Sequence, residues 1–170
     1  TPIIFPDAVI EEPAYNSDPQ EGIDFFILLG LCPSNQKERA NFQYALLTLY
    51  NRALLGDSTA QFELGQLYQA GIGVAKNPQQ AQTYYELAAA QQEVNAEYNL
   101  GLMYLLGQSA TIDYKKGIDW WLDAAFKGNA YAQYALGNLY QYGLNDSTGK
   151  LLLPPNTEQS LAMYFLAASN

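Results

Sequence analysis

The sequence predicts an all-α solenoid, an α/α superhelix of stacked helix-turn-helix units. Three observations carry that prediction. From Ala60 the chain repeats with a period of 36 residues: Ala60, Leu64, Gly65, Tyr68 and Gly71 return as Ala96, Leu100, Gly101, Tyr104 and Gly107, then as Ala132, Leu136, Gly137, Tyr140 and Gly143. Within each unit the apolar residues fall four apart, which lays one stripe along a 3.6-residue helix. Glycines and polar caps punctuate the stripes at matching places in each unit.

Residues 1–21 come first and hold Pro2, Pro6, Pro13 and Pro19 with little periodicity, so they read as an extended leader. Ile3, Ile4 and Phe5 are its apolar contacts. The leader lacks a basic stretch followed by a long apolar one and does not read as a signal peptide. The chain starts at threonine rather than methionine, as after processing or at a boundary. Residues 22–170 form the repeat domain: an irregular unit over about 22–59, then units 60–95, 96–131 and 132–170. Leu49, Ala53, Gly56 and Ala60 match Tyr85, Ala89, Gln92 and Ala96 one period later, which makes Phe25–Cys32 and Gln36–Leu55 the two helices of the irregular unit.

In each regular unit the first helix carries Ala, Leu and Tyr on one stripe. Gly65, Gly101 and Gly137 lie inside it, where glycine costs about 1 kcal/mol relative to alanine. Repeating that cost implies a partner helix too close for any Cβ. Gly71, Gly107 and Gly143 end the helix in a position suited to left-handed backbone. The second helix opens on Asn77-Pro78, Asp113 or Asn156, side chains able to accept from first-turn amides. Gln80 and Gln159 suit a reciprocal capping box. Tyr84-Tyr85 with Ala88-Ala89 becomes Trp120-Trp121 with Ala124-Ala125, bulk followed by room for close approach. A unit of this kind buries its apolar faces only by stacking on its neighbours.

Composition excludes several functions. With 170 residues, 49% of them apolar, the chain can bury about 70% of its surface and is not a disordered segment. Its longest apolar run, the eight residues Phe25–Cys32, is far short of the ~20 that span a bilayer. Histidine is absent, which removes the usual general base, imidazole metal ligands and Ser-His or Cys-His pairs. A lone Cys32 cannot form an internal disulfide or hold zinc by itself; it reads as a small buried hydrophobe or a labile thiol. No cofactor or metal site is expected.

A net charge of −9 repels a phosphate backbone and speaks against nucleic acid. The acidity is uneven: residues 1–24 hold six acids and no base, the remaining 146 eleven acids and eight bases. The leader is therefore either a solvated tail or an acidic arm for a basic partner. Catalytic candidates are weak. Asp119 and Asp123, beside Lys115, Lys116 and Lys127, read as surface ion pairs. Glu11-Glu12 lacks a framework, and Gly71-x-Gly73 lacks the Lys-Ser or Lys-Thr of a phosphate loop.

The pattern A-x-x-x-L-G-x-x-Y-x-x-G, then N/D followed by an aromatic pair and Ala-Ala, resembles the Sel1-like repeat, a relative of the tetratricopeptide repeat. Ala60–Gln92 and Ala96–Gly128 fit closely, with Gly71-Ile72-Gly73-Val74 at the family's turn; Ala132–Ala168 fits around an insertion, and residues 22–59 fit weakly. The second unit departs at Gly107-Gln108-Ser109-Ala110, and Met163 replaces an aromatic in the third. Some members carry a disulfide in each repeat and are linked to β-lactam chemistry; this chain lacks those cysteines.

The resemblance implies a right-handed superhelix and a non-catalytic adaptor or scaffold that binds a protein or extended peptide on its concave face. It also implies a bacterial, periplasmic or secreted setting. Immunity against a secreted toxin is the alternative, and a cell-wall or β-lactam hydrolase is a third. Tetratricopeptide-like packing aims four columns inward: Thr59, Asn95, Tyr131; Phe62, Tyr98, Tyr134; Gln66, Leu102, Asn138; and Gln69, Leu105, Gln141. The aromatic column is either a ligand-facing stripe or additional packing between first helices. No Lys or Arg lies in these helices, so a ligand is met by aromatic packing and amides, or by basic groups reaching Glu63 and Glu97.

Residues 144–155 are a loop insertion of seven residues relative to the first unit, and its Leu151, Leu152 and Leu153 either fold back on the array or contact a partner. The sequence stops after a second helix with no polar capping helix. The chain continues naturally, dimerises through this last repeat, or has its leader over the exposed face.

Overall fold

The structure, a computed structural model, describes residues 36–109 and 111–169. Along these residues run α1 (Gln36–Leu54), α2 (Ser58–Ala70), α3 (Pro78–Ala89), α4 (Val94–Leu106), α5 (Tyr114–Phe126) and α6 (Ala130–Tyr142). A hairpin of β1 (Leu144–Asn145) and β2 (Leu151–Leu153) precedes the last helix, α7 (Thr157–Ala168). The architecture is the all-α superhelix predicted. Helix α1 lies where the second helix of the irregular unit is expected; the leader, Phe25–Cys32 and Cys32 lie outside the described residues. No helix among the described residues is long and apolar enough to cross a membrane.

Packing runs between consecutive helices. It is most extensive within the repeats, α2 on α3, α4 on α5 and α6 on α7. Three successive core clusters line the axis, each including residues from more than one helix: the first centres on Leu46, Leu49, Leu64 and Leu67, the second on Tyr85, Ala96 and Leu100, and the third on Trp121, Ala132 and Leu136. Each unit thus closes its apolar stripe against its neighbour.

Gly71 and Gly107 end their helices in left-handed backbone as the sequence requires, whereas Gly143, with ψ at −175°, departs from it and leads into the hairpin. Asn77, Asp113 and Asn156 accept from Gln80, Lys116 and Gln159 amides at 3.1, 3.0 and 3.0 Å. The first helices start on Asp57, Glu93 and Asn129. The reciprocal capping box takes a different form. The cap's own N–H goes to the repeat tyrosine: Asn77 to the Tyr68 carbonyl at 2.9 Å, Asp113 to Tyr104 at 3.0 Å, Asn156 to Tyr140 at 2.7 Å. This one bond ties the start of each second helix to the end of the first.

The interior glycines have the crowded surroundings expected, though the intruder is chiefly a ring. A Cβ on Gly65 would stand 2.4 Å from the Tyr85 ring, on Gly101 2.3 Å from Trp121, and on Gly137 2.6 Å from Tyr164. At Gly101 the Gly117 carbonyl is also only 2.9 Å away, so there the helix backbones themselves touch.

The insertion is not a plain loop, a correction to the sequence reading. Leu144 pairs with Leu153 and Asn145 with Leu151. The turn closes on Asp146, whose Oδ1 accepts from the Thr148 and Lys150 amides at 2.8 and 3.0 Å. Leu153 folds back on the third core cluster, while Leu151 and Leu152 stay exposed.

The junctions between repeats show one local conflict. Gly56 and Gly128 take φ of +92° and +93°, and their period-equivalent Gln92 takes +65°. The two glycines face open space, so backbone conformation alone selects them. Gln92→Gly is therefore expected to stabilise the fold by about 0.5–1 kcal/mol, read as a higher midpoint in urea unfolding.

Candidate functional site

The four columns do not share one environment. At about 100° per residue, Thr59, Gln66 and Ala70 fall on a single outward stripe of α2, with Phe62 and Gln69 turned some 60–80° toward the flank. The same stripe is Asn95, Leu102 and Leu106 on α4, and Tyr131, Asn138 and Tyr142 on α6. Thr59, Ala70 and Asn95 are exposed, as are Leu106 (58%), Tyr131 (72%) and Tyr142 (73%). Gln66, Leu102 and Asn138 are half-buried. The column Ala70, Leu106, Tyr142 was missed by the sequence reading; its signal is the i+4 spacing from Gln66, Leu102 and Asn138.

The aromatic column works mainly in packing. Phe62 sits 5.8 Å from the Tyr85 ring, Tyr98 stacks on Trp121 at 5.9 Å, and Tyr134 meets Tyr164 at 5.7 Å. Each second-helix ring is thus sandwiched between a helical glycine and a first-helix ring. Phe62 and Tyr98 are half-buried against core clusters; Tyr134 is 60% exposed. Tyr98 also meets Tyr131 of the following repeat at 6.0 Å.

Several amides expected to greet a ligand hold these rings instead. The Tyr85 hydroxyl donates to Gln69 Oε1 at 2.7 Å, and the Tyr164 hydroxyl lies 2.7 Å from Asn138 Oδ1 and 2.9 Å from Gln141 Oε1. Trp121 donates its indole N–H to the Tyr98 carbonyl at 3.0 Å. Asn95 accepts from Asn129 at 3.1 Å, joining α4 to the cap of α6. Leu102 and Leu105 pack against the third core cluster. Burial pushes the Tyr85 phenol well above the ordinary tyrosine range. Tyr50, half-buried and hydrogen-bonded to the Tyr68 hydroxyl, is displaced the same way. Both stay neutral wherever the fold persists.

The outward face carries no charge. Glu63 and Glu97 are the only charged residues in α2, α4 and α6, and both are buried. A basic ligand group cannot reach them there, which corrects the electrostatic half of the sequence reading. Glu97 Oε1 binds Lys127, on the repeat junction. Lys116 likewise turns to the Tyr104 ring, 4.8 Å from its centroid. The expected ion pairs of these lysines with Asp119 and Asp123 are replaced by those contacts.

Repeat symmetry explains the Glu97 site. Its equivalents Gln61 and Gln133 are buried too, and each donates to the carbonyl eight residues back, Ala53 at 3.1 Å and Ala125 at 2.9 Å. Gln91 donates to Gln61 at 2.7 Å, in the place where Lys127 meets Glu97. Glu97 Oε2, which stands where its sisters have an N–H, has no hydrogen-bond partner among the described residues.

Stacked helix-turn-helix units with glycine-seated rings and a neutral outward stripe define a repeat solenoid of the tetratricopeptide-like class. The model of the Sel1 repeat matches residues 58–93, 94–129 and 130–170, and the chain belongs to the Sel1 repeat family. It is similar to the crystal structure of a Sel1 repeat protein from Oxalobacter formigenes, with 26% identity and a TM-score of 0.69 over 91% of this chain and 55% of that one. It is also similar to c5321, a protective antigen of uropathogenic Escherichia coli with an SLR fold, with 27% identity and a TM-score of 0.69 over 89% of this chain and 30% of that one. The fold is shared with immunity protein Pa5087 from Pseudomonas aeruginosa, at 23% identity and a TM-score of 0.60 over 89% of this chain and 53% of that one. The chain therefore spans between about a third and a little over half of these structures. No curated protein is similar enough to count as a relative.

Glu97→Gln is expected to stabilise the fold by about 1 kcal/mol, because the amide supplies the donor its sisters use while its carbonyl still accepts from Lys127. Thermal melts of the two proteins at neutral pH check this.

Proposed function

We propose that this chain is a non-catalytic interaction module that holds an extended polypeptide along the outward stripe of α2, α4 and α6. Sel1 repeats are in general protein–protein interaction modules. The observation that carries the reading is the uncharged stripe on which Leu106, Tyr131 and Tyr142 stand exposed beside half-buried Gln66 and Leu102. Exposed Tyr and Leu supply contact area with little entropy to lose. Such a ligand is neutral and aromatic or aliphatic rather than basic. Among the described residues no group of three or more Cys, Asp or Glu side chains is placed to hold a metal.

Immunity toward a basic effector is the second reading. It draws on the net charge of −9, on the six acids within residues 1–24, and on the shared fold of Pa5087. Electrostatic steering would give that encounter a rate that falls steeply with salt.

Selection of a displayed peptide library on the purified chain separates them. The module reading expects enriched neutral peptides with aromatic or aliphatic residues, bound at micromolar affinity with little salt dependence and weakened at least tenfold by Leu106→Asp or Tyr131→Ala. Peptides that ignore both substitutions, or enrichment of basic sequences alone, would overturn it.

A further inference from the structure

The bases of this chain are gathered on one side. In a stack of helix-turn-helix units the turns inside the repeats share one edge of the solenoid. Lys76, Lys115, Lys116 and Lys150 stand exposed there, in those turns or in the first turn of the helix that follows. Neighbouring turns touch along the edge: Gln69 donates to Gln108 at 2.9 Å, and Gln79 to the Ser109 carbonyl at 3.0 Å. Helix α1 starts at the same edge, because a Cβ on Gly73 would stand 1.9 Å from the Phe42 ring, which sets the second turn of α1 on the turn of the first regular unit. By position, the first turn of α1 adds Lys37 and Arg39. The edge thus collects six of the eight bases, against Glu38, Asp113, Asp146 and Glu158, and leaves two bases and seven acids for the rest of the described residues.

The two edges differ in how their bases are answered. At the repeat junctions, on the opposite edge, Arg52 pairs with Asp57 at 2.7 Å and Lys127 pairs with Glu97. Lys76, Lys115 and Lys150 make no ion pair among the described residues. The Asp113 and Asp146 carboxylates near them already accept from amides of their own turns. An anionic segment fits this edge. A polyanion from outside is repelled by a body of eleven acids and eight bases. Residues 1–24 need no such encounter: they bring six acids and no base, and they join the body at this edge through α1. Asp24, the nearest of the six, stands twelve residues before Gln36, a reach of about 40 Å. A tethered segment meets its site at an effective concentration on the order of millimolar, so surface pairs too weak to hold a free peptide hold this one.

We propose that the acids of residues 1–24 dock in cis on the lysine edge formed by Lys76, Lys115 and Lys150. The leader's charge is then answered within the chain, and a basic partner reaches it only by displacing those lysines. This contact is independent of what the outward stripe binds.

Carbodiimide coupling of the full chain, which joins a lysine amine to a carboxylate in contact with it, tests this, with linked peptides read by mass spectrometry. The expected result is links from Lys76, Lys115 or Lys150 to acids among Asp7–Asp24, formed within single chains in a mixture of isotopically light and heavy protein. Raising salt from about 0.01 M to about 1 M shortens the screening length from about 30 to about 3 Å. That change is expected to cut the yield of links at least tenfold and to raise the radius of gyration in small-angle scattering. Lys76→Gln/Lys115→Gln/Lys150→Gln is expected to show the larger radius already at low salt, with its circular dichroism unchanged because all three side chains are exposed. Leu54→Glu/Ala90→Glu/Phe126→Glu makes the same change of charge at the opposite edge and is expected to keep both the links and the smaller radius. A radius that ignores salt and the lysine substitutions would overturn the proposal. So would links that survive high salt, or links formed between chains only.

Discussion

A flat ring lying on a glycine is the contact on which this molecule depends. In each regular repeat the second helix drives one aromatic residue, Tyr85, Trp121 or Tyr164, onto the bare backbone of the first at Gly65, Gly101 or Gly137. The ring fills the space that a Cβ would occupy, and its outer face then receives Phe62, Tyr98 or Tyr134. Its polar tip is held by Gln69, by the Tyr98 carbonyl, or by Asn138 and Gln141. Glycine's cost to each helix, about 1 kcal/mol, is offset by a ring that makes contact on both of its faces.

From this contact the rest of the surface follows. The ring occupies the flank of the first helix, and the exposed stripe lies some 60–80° around from it. Because the two acids of the first helices are buried, that stripe is neutral in a strongly acidic chain. The charge that would steer a basic partner therefore sits elsewhere than the stripe, and the two functional readings use different parts of the molecule.

The helices, their caps and the repeat frame were legible in the sequence because a 36-residue period displays each constraint several times. The glycines pointed correctly to close approach. The partner's nature was less legible, since the ring belongs to another helix some twenty residues on. The surroundings of the four columns were read only in part. Tetratricopeptide geometry treats Phe62 and Thr59 as equally inward, but helical phase sets them about 60° apart, and that angle separates packing from exposure. The burial of Glu97 was likewise hidden, because a period-equivalent Gln at both sister positions shows the pocket's needs only once the carbonyls of Ala53 and Ala125 are in view. The hairpin at 144–153 escaped because it has a single occurrence and two very short strands.

Comparing Gly65→Ala in two backgrounds tests the ring-on-glycine account most directly, since at Gly65 all three nearest atoms to an added Cβ belong to the Tyr85 ring. In the natural chain the substitution is expected to cost about 1–3 kcal/mol of unfolding free energy, as overpacking does. In a Tyr85→Ala background, with the ring gone, the same substitution is expected to be neutral or to stabilise by up to about 1 kcal/mol through helix propensity. Equal costs in both backgrounds would contradict the account.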